Sequence, residues 1–170
     1  MELFAVISGK GFQGKDVLQV ESEIEEKYKK AARGYDRVAR SEDLEMKREG
    51  QIGKIRCLVS QEKFDRALEE AQAFVRENAE PRVLGGAWNI IGDCHMASAE
   101  KGGPDKVRQA LLAYLRVVVV YFYDSQTAAK GAFKAGGCFE KLKQPNRAVE
   151  QYKRAAGTAG GGDWVVRAQE

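Results

Sequence analysis

Residues 88 to 95 read Trp88-Asn89-Ile90-Ile91-Gly92-Asp93-Cys94-His95, or WNIIGDCH. They bring a tryptophan, a glycine, a cysteine and the only histidine of the chain into eight residues. The stretch is open to two readings: a reactive cysteine–histidine pair, or one face of a packed helix. Adjacent residues on an α-helix point about 100° apart. Cys94 and His95 are therefore poorly placed for the hydrogen-bonded contact that a nucleophile and its base require.

A second copy favours packing. Residues 132 to 139 read AFKAGGCF, so that Ala132-x-x-Ala135-Gly136-x-x-Phe139 repeats the spacing of Trp88-x-x-Ile91-Gly92-x-x-His95. Cys94 lies two residues after Gly92, Cys138 two after Gly136, and Cys57 two after Ile55, the matching position of another copy. A cysteine in a core behaves as a small hydrophobe. The shared position predicts that all three are buried, reduced and unpaired.

Working outward, apolar residues recur every three or four positions, the period of a helix with one buried face. Val17, Val20, Ile24, Tyr28, Ala31, Tyr35 and Val38 mark a helix that begins near Asp16. Further helices are predicted over 44–60, 64–77, 82–100, 104–122, 125–142 and 145–156. Pro104 and Pro145 suit first helical positions, where a missing N–H costs nothing. Pro81 separates two helices, and Ser125 is a plausible N-cap. The glycines at 160–162 end the last long helix. Asp163-Trp164 then starts a short one, expected to fold back as a cap or to continue into further chain. Residues 1–15, MELFAVISGKGFQGK, do not follow the helical period. A hairpin of Phe4–Ile7 with the segment from Phe12, a loose arm and an extra helix all remain open.

The second helix of each pair aligns on an alanine. Ala31, Tyr35 and Val38 match Ala67, Ala71 and Phe74, then Ala110, Tyr114 and Val117, then Ala148, Tyr152 and Ala155. The offset is four residues and then three each time. A small alanine lets helices approach closely, and the residue four positions on fills the adjacent groove. Gly136 to Ala148 and Ile55 to Ala67 are both 12 residues. These residues resemble the tetratricopeptide repeat (TPR) family, W-x-x-L-G-x-x-Y followed by A-x-x-x-F and P, over about residues 22–157. The pattern is irregular. The alanines step by 36, 43 and 38 residues, Gly92 to Ala110 is 18, and Gln51 and Ile55 replace the tryptophan and glycine. That irregularity, with the turn Phe122-Tyr123-Asp124-Ser125, looks most like the TPR proteins of the bacterial cell envelope.

The resemblance implies an all-α solenoid of about three and a half antiparallel helix pairs over 16–157. An arm (1–15) precedes it and a tail (158–170) follows. It also implies a non-catalytic scaffold that binds a peptide or partner helix on its concave face. The family's groove positions fall on Ile52, Arg56 and Val59, on Asn89, Asp93 and Met96, and on Phe133, Glu140 and Lys141. Their mixed charge lacks the lysine–asparagine clamp of TPR domains that grip chaperone termini. The alternative is a structural protein of the cell envelope that assembles through the ends of its array.

Composition agrees with a domain that builds its own core. The chain has 170 residues, of which 44% are hydrophobic and 31% charged, and a net charge of +3. That charge is too mild for the basic footprint of a nucleic-acid binder. The basic stretch from Lys27 to Arg40 alternates with acids just upstream and reads as a solvated helix face, with an anion- or RNA-binding face as the alternative. No basic start followed by a long apolar core marks a signal peptide. The longest apolar run, Val117–Tyr123, is far short of the roughly 20 residues of a spanning helix. The expectation is a soluble chain, cytoplasmic or periplasmic, and a start at Met1 is compatible with a piece of a longer protein. SGKGFQGK, residues 8–15, is not a P-loop pattern, and one histidine without a paired C-x-x-C is a poor zinc site. No catalytic residue, cofactor or metal is expected.

Overall fold

A computed structural model describes residues 14–169, and among these it is all-helical, with no strand. Residues 1–13, for which a hairpin, a loose arm and an extra helix are all open, lie outside the described residues. Gly14 and Lys15, expected in the arm, belong instead to the first helix. The helices are α1 (Gly14–Val38), α2 (Leu44–Ser60), α3 (Phe64–Glu77), α4 (Pro81–Ala97), α5 (Ala99–Val120), α6 (Ser125–Lys141), α7 (Pro145–Ala156) and α8 (Asp163–Arg167). They form two compact units, one ending at Gln61 and one beginning at Glu62. The boundary falls between the two helices of the second expected repeat.

Local chemistry sets the helix ends. Asp43 caps α2, its carboxylate accepting from Met46 N at 2.9 Å. Asp124, not Ser125, caps α6: its backbone is extended and its carboxylate accepts from Gln126 N and Thr127 N. An ionised carboxylate at an N-cap is favoured over a hydroxyl by the positive end of the helix. Pro81 and Pro145 occupy first-turn positions of α4 and α7. Gly103, with φ at 61°, breaks α5 after its first turn, and Pro104 restarts it. The positive φ explains why glycine stands there.

In the first unit α1 packs on α2. The Tyr35 ring lies directly on Gly53, and Gly50 lies against the backbone of Val38 and Ala39, so neither glycine has room for a Cβ. Ile52, Ile55, Cys57 and Leu58 are buried in α2.

In the second unit each helix packs on the next from α3 to α7, α4 also touches α6, and α8 folds back over α6 and α7. Of the alanines of the aligned motif, Ala67, Ala71, Ala110, Ala148 and Ala155 are buried, whereas Ala31 of α1 in the first unit is exposed. Tyr114 fills the space between α4 and α6, packed with Ala110, Ala135 and Cys138. Fully burying an aliphatic or aromatic side chain stabilises by roughly 1.5–3 kcal/mol. Trp164 lies 5.6 Å from Phe133, ring to ring, and Ala168 joins the cluster of Val118, Ala132 and Ala155. The short helix α8, with Gly162 as its N-cap, packs back on α6 and α7.

The apolar run Val117–Tyr123 is only partly core. Val117 and Val118 are buried, but Val119, Val120, Phe122 and Tyr123 are exposed. A helix buries one stripe, and Val119 continues the exposed stripe of Leu112 and Arg116 on the other side of α5.

Candidate functional site

In the second unit, the faces of α4 and α6 enclose a cleft of ≈ 380 Å³ with Tyr114 at its base. Its lining brings together Asp93, Met96, Phe133, Glu140 and Lys141, five of the nine residues that the repeat phasing selects. Asp93 and Met96 come from α4, and Phe133, Glu140 and Lys141 from α6. On each helix they recur at spacings that keep side chains on one face.

The carboxylates of this cleft are already engaged. Asp93 accepts from the Tyr114 hydroxyl at 2.7 Å and pairs with Lys130 at 3.1 Å and Lys134 at 3.4 Å. Glu140 accepts from the Tyr152 hydroxyl at 2.9 Å. Burial and then the Asp93 charge push the Tyr114 phenol well above its usual range. Burial and the bond to Glu140 push Tyr152 up to about 12. Both hydroxyls thus stay protonated donors at neutral pH.

Apolar contact comes from Met96, whose sulfur lies 3.5 Å from Cys138 Sγ, and from Phe133. The Phe133 ring is itself held between Tyr152 at 5.5 Å and Trp164 at 5.6 Å. Lys134 and Lys141 supply positive charge at the rim. Lys130 and Lys134 also stand about 6 Å from the Trp164 ring, at 5.9 and 6.0 Å, within reach of a cation–π contact.

Four of the nine expected groove residues lie elsewhere. Asn89 is one of the groove positions that the resemblance implies. It is instead 2% exposed, and its Nδ2 donates to Thr127 O at 3.0 Å, tying α4 to α6. Ile52 is likewise a core residue of the first unit. Both corrections have one cause: the neighbouring helix covers these positions. Arg56 is exposed and Val59 partly exposed on α2 of the first unit.

Sequence reasoning missed Lys134, Gly137 and Tyr114 as lining residues. A signal existed for the lysine: Lys130, Lys134 and Lys141 are four and seven residues apart, one face of α6.

Cys57, Cys94 and Cys138 are buried free thiols, and burial pushes Cys94 and Cys138 each up to about 12. A reactive cysteine needs the opposite shift. Gly92 makes a close approach to the Tyr114 ring, and Gly136 makes the same approach to the Tyr152 ring. His95 is half-buried, its pKa lowered by burial and then by Lys106. Among the described residues no three His, Cys, Asp or Glu are grouped to hold a metal ion, and no helix is long and apolar enough to cross a membrane. No known protein family, characterised protein or solved structure matches the chain.

Proposed function

We propose that the chain is a non-catalytic protein-interaction module of TPR-like helix pairs stacked as a solenoid, and that it holds a peptide or partner helix in the α4–α6 cleft. The observation that carries this reading is the convergence of Asp93, Met96, Phe133, Glu140 and Lys141 on one cleft. The recurring contact of Gly92 with Tyr114 and Gly136 with Tyr152 supports the repeat itself. Because Asp93 is paired with Lys130 and Lys134 and Glu140 is held by Tyr152, the cleft offers a partner Lys141 and its apolar floor. A segment pairing a carboxylate with a Leu- or Phe-like side chain fits that chemistry, since a bound charge is stabilised where it finds an opposite one.

The test is site-specific photo-crosslinking of the full chain, with a benzophenone side chain at position 141 or at position 153. Lys153 is exposed on α7. A discrete protein adduct from position 141 and none from 153 supports the cleft. Adducts from 153 alone reject it.

A further inference from the structure

A second surface of the same unit is larger and more apolar than the α4–α6 cleft. Between α3 and α5 runs a groove of ≈ 840 Å³ with α4 as its floor. Leu68 stands on the α3 side, Trp88 and Ile91 form the floor, and Leu112, Arg116 and Val119 stand on the α5 side. Leu112 and Val119 are 69% and 63% exposed, so large side chains face solvent on both sides of Arg116. Past the end of α5 the rings of Phe122 and Tyr123 are stacked 5.2 Å apart and both exposed. Contiguous exposed apolar surface on a folded unit marks an interaction site more often than isolated residues do.

Charge identifies the occupant. Lys106 and Arg116 line the groove, and no carboxylate is among its lining residues. The Arg116 guanidinium lies 4.2 Å over the Trp88 ring, which fixes it at the floor. Lys106 and Arg116 are ten residues apart on α5, about 15 Å along the axis at 1.5 Å per residue. Glutamine side chains from Gln72 and Gln109 complete the polar content, together with His95, which burial and Lys106 hold toward its neutral form. Among its described residues the unit has no strand to which an extended chain could add its main-chain hydrogen bonds. Two helices with a third as floor offer the ridges and grooves that a further helix fills.

We infer that the α3–α5 groove docks an amphipathic helix of a partner protein, with apolar residues against Leu112, Val119 and Trp88 and acidic residues against Lys106 and Arg116. This site is separate from the α4–α6 cleft and does not depend on the function proposed for it.

The experiment uses the full chain and two fluorescein-labelled 18-residue helical peptides. One carries leucine at positions 1, 5, 8, 12 and 15 and glutamate beside that stripe. The other is identical with lysine for glutamate. By anisotropy the acidic peptide is expected to bind at least tenfold more tightly than its basic twin. Leu112→Asp and Val119→Asp, both at exposed positions, should each weaken binding at least tenfold with an unchanged circular dichroism spectrum. Lys106→Glu with Arg116→Glu should reverse the preference, while Lys153→Glu on α7 leaves it unaltered. Equal binding of the two peptides, no binding, or binding indifferent to both aspartate variants would overturn the inference. It would also be overturned by dimerisation in sedimentation equilibrium that Leu112→Asp abolishes, which would make a second copy the occupant. Flotation with vesicles of one-third phosphatidylserine, lost in Leu112→Asp, would equally overturn it in favour of a membrane surface.

Discussion

The Tyr114 hydroxyl donates to the Asp93 carboxylate at 2.7 Å. This bond joins α5 to α4 beneath the cleft, at a tyrosine with no exposed surface. A hydrogen bond to a charged group contributes about 1.5–3 kcal/mol. Asp93 keeps Lys130 and Lys134 when the hydroxyl is removed. Tyr114→Phe is therefore expected at the lower end, a loss of about 1.5 kcal/mol in urea unfolding. An unchanged midpoint would show that the bond contributes nothing net.

Two neighbouring glycines of α6 should respond in opposite directions. A Cβ at Gly136 would strike the Tyr152 ring, whereas one at Gly137 meets only the Tyr152 hydroxyl at an ordinary 3.8 Å. Gly137→Ala should stabilise by about 0.5–1 kcal/mol through helix propensity. Gly136→Ala should destabilise by about 1–3 kcal/mol through overpacking. Thermal melts of the two variants read the sign directly.

Alkaline pH should weaken the fold. Cys94 and Cys138 are each pushed up to about 12 by burial, against about 8.5 for an unfolded thiol. The folded state favours the neutral thiol. Its contribution is complete below the unfolded value and is lost as pH rises from about 8.5 to about 12. Each thiol contributes a slope of about 1.4 kcal/mol per pH unit in that window. Stability measured from pH 8 to 10.5 should fall, and fall less steeply in Cys94→Ala. Equal slopes would contradict the assigned burial. Thiol labelling of the native protein at pH 8 should correspondingly be slow at both positions.

The C-terminal segment should act as a cap. Trp164 lies against Phe133, and Ala168 joins the Val118–Ala132–Ala155 cluster. Trp164 is only partly buried, so Trp164→Ala should cost about 2 kcal/mol, below the roughly 3–5 kcal/mol typical of a fully buried tryptophan. Deleting residues 163–170 should lower the melting temperature further, or bring out oligomers as the cluster is uncovered. A deletion that melts and sediments like the full chain would remove the capping role.

The helices were legible because their period, prolines and glycines agree with one another. The α4–α6 cleft was half legible. Repeat phasing brought Asp93, Met96, Phe133, Glu140 and Lys141 to one face, but exposure depends on what the next helix covers, and Asn89 is covered by the start of α6. The cap of α6 was displaced by one residue because Asp124 and Ser125 are both good caps and only their backbone conformations separate them. The apolar run at the end of α5 reads as core by composition. Its division into buried Val117 and Val118 and exposed Val119 and Val120 follows from helix rotation, which a run of identical residues does not encode.

A protein partner on the α4–α6 face, as proposed, would be read out by the affinity of the partner crosslinked at position 141, titrated against Lys141→Glu and Lys153→Glu. Lys141 is exposed at the cleft rim, so its reversal should leave the fold intact. Losing one well-placed charge contact and adding a repulsion should weaken binding at least tenfold, about 1.4 kcal/mol or more. Lys153→Glu should bind as the parent chain does. Unaltered affinity in Lys141→Glu, with affinity abolished in Lys153→Glu, would contradict the account and move the functional face to α7.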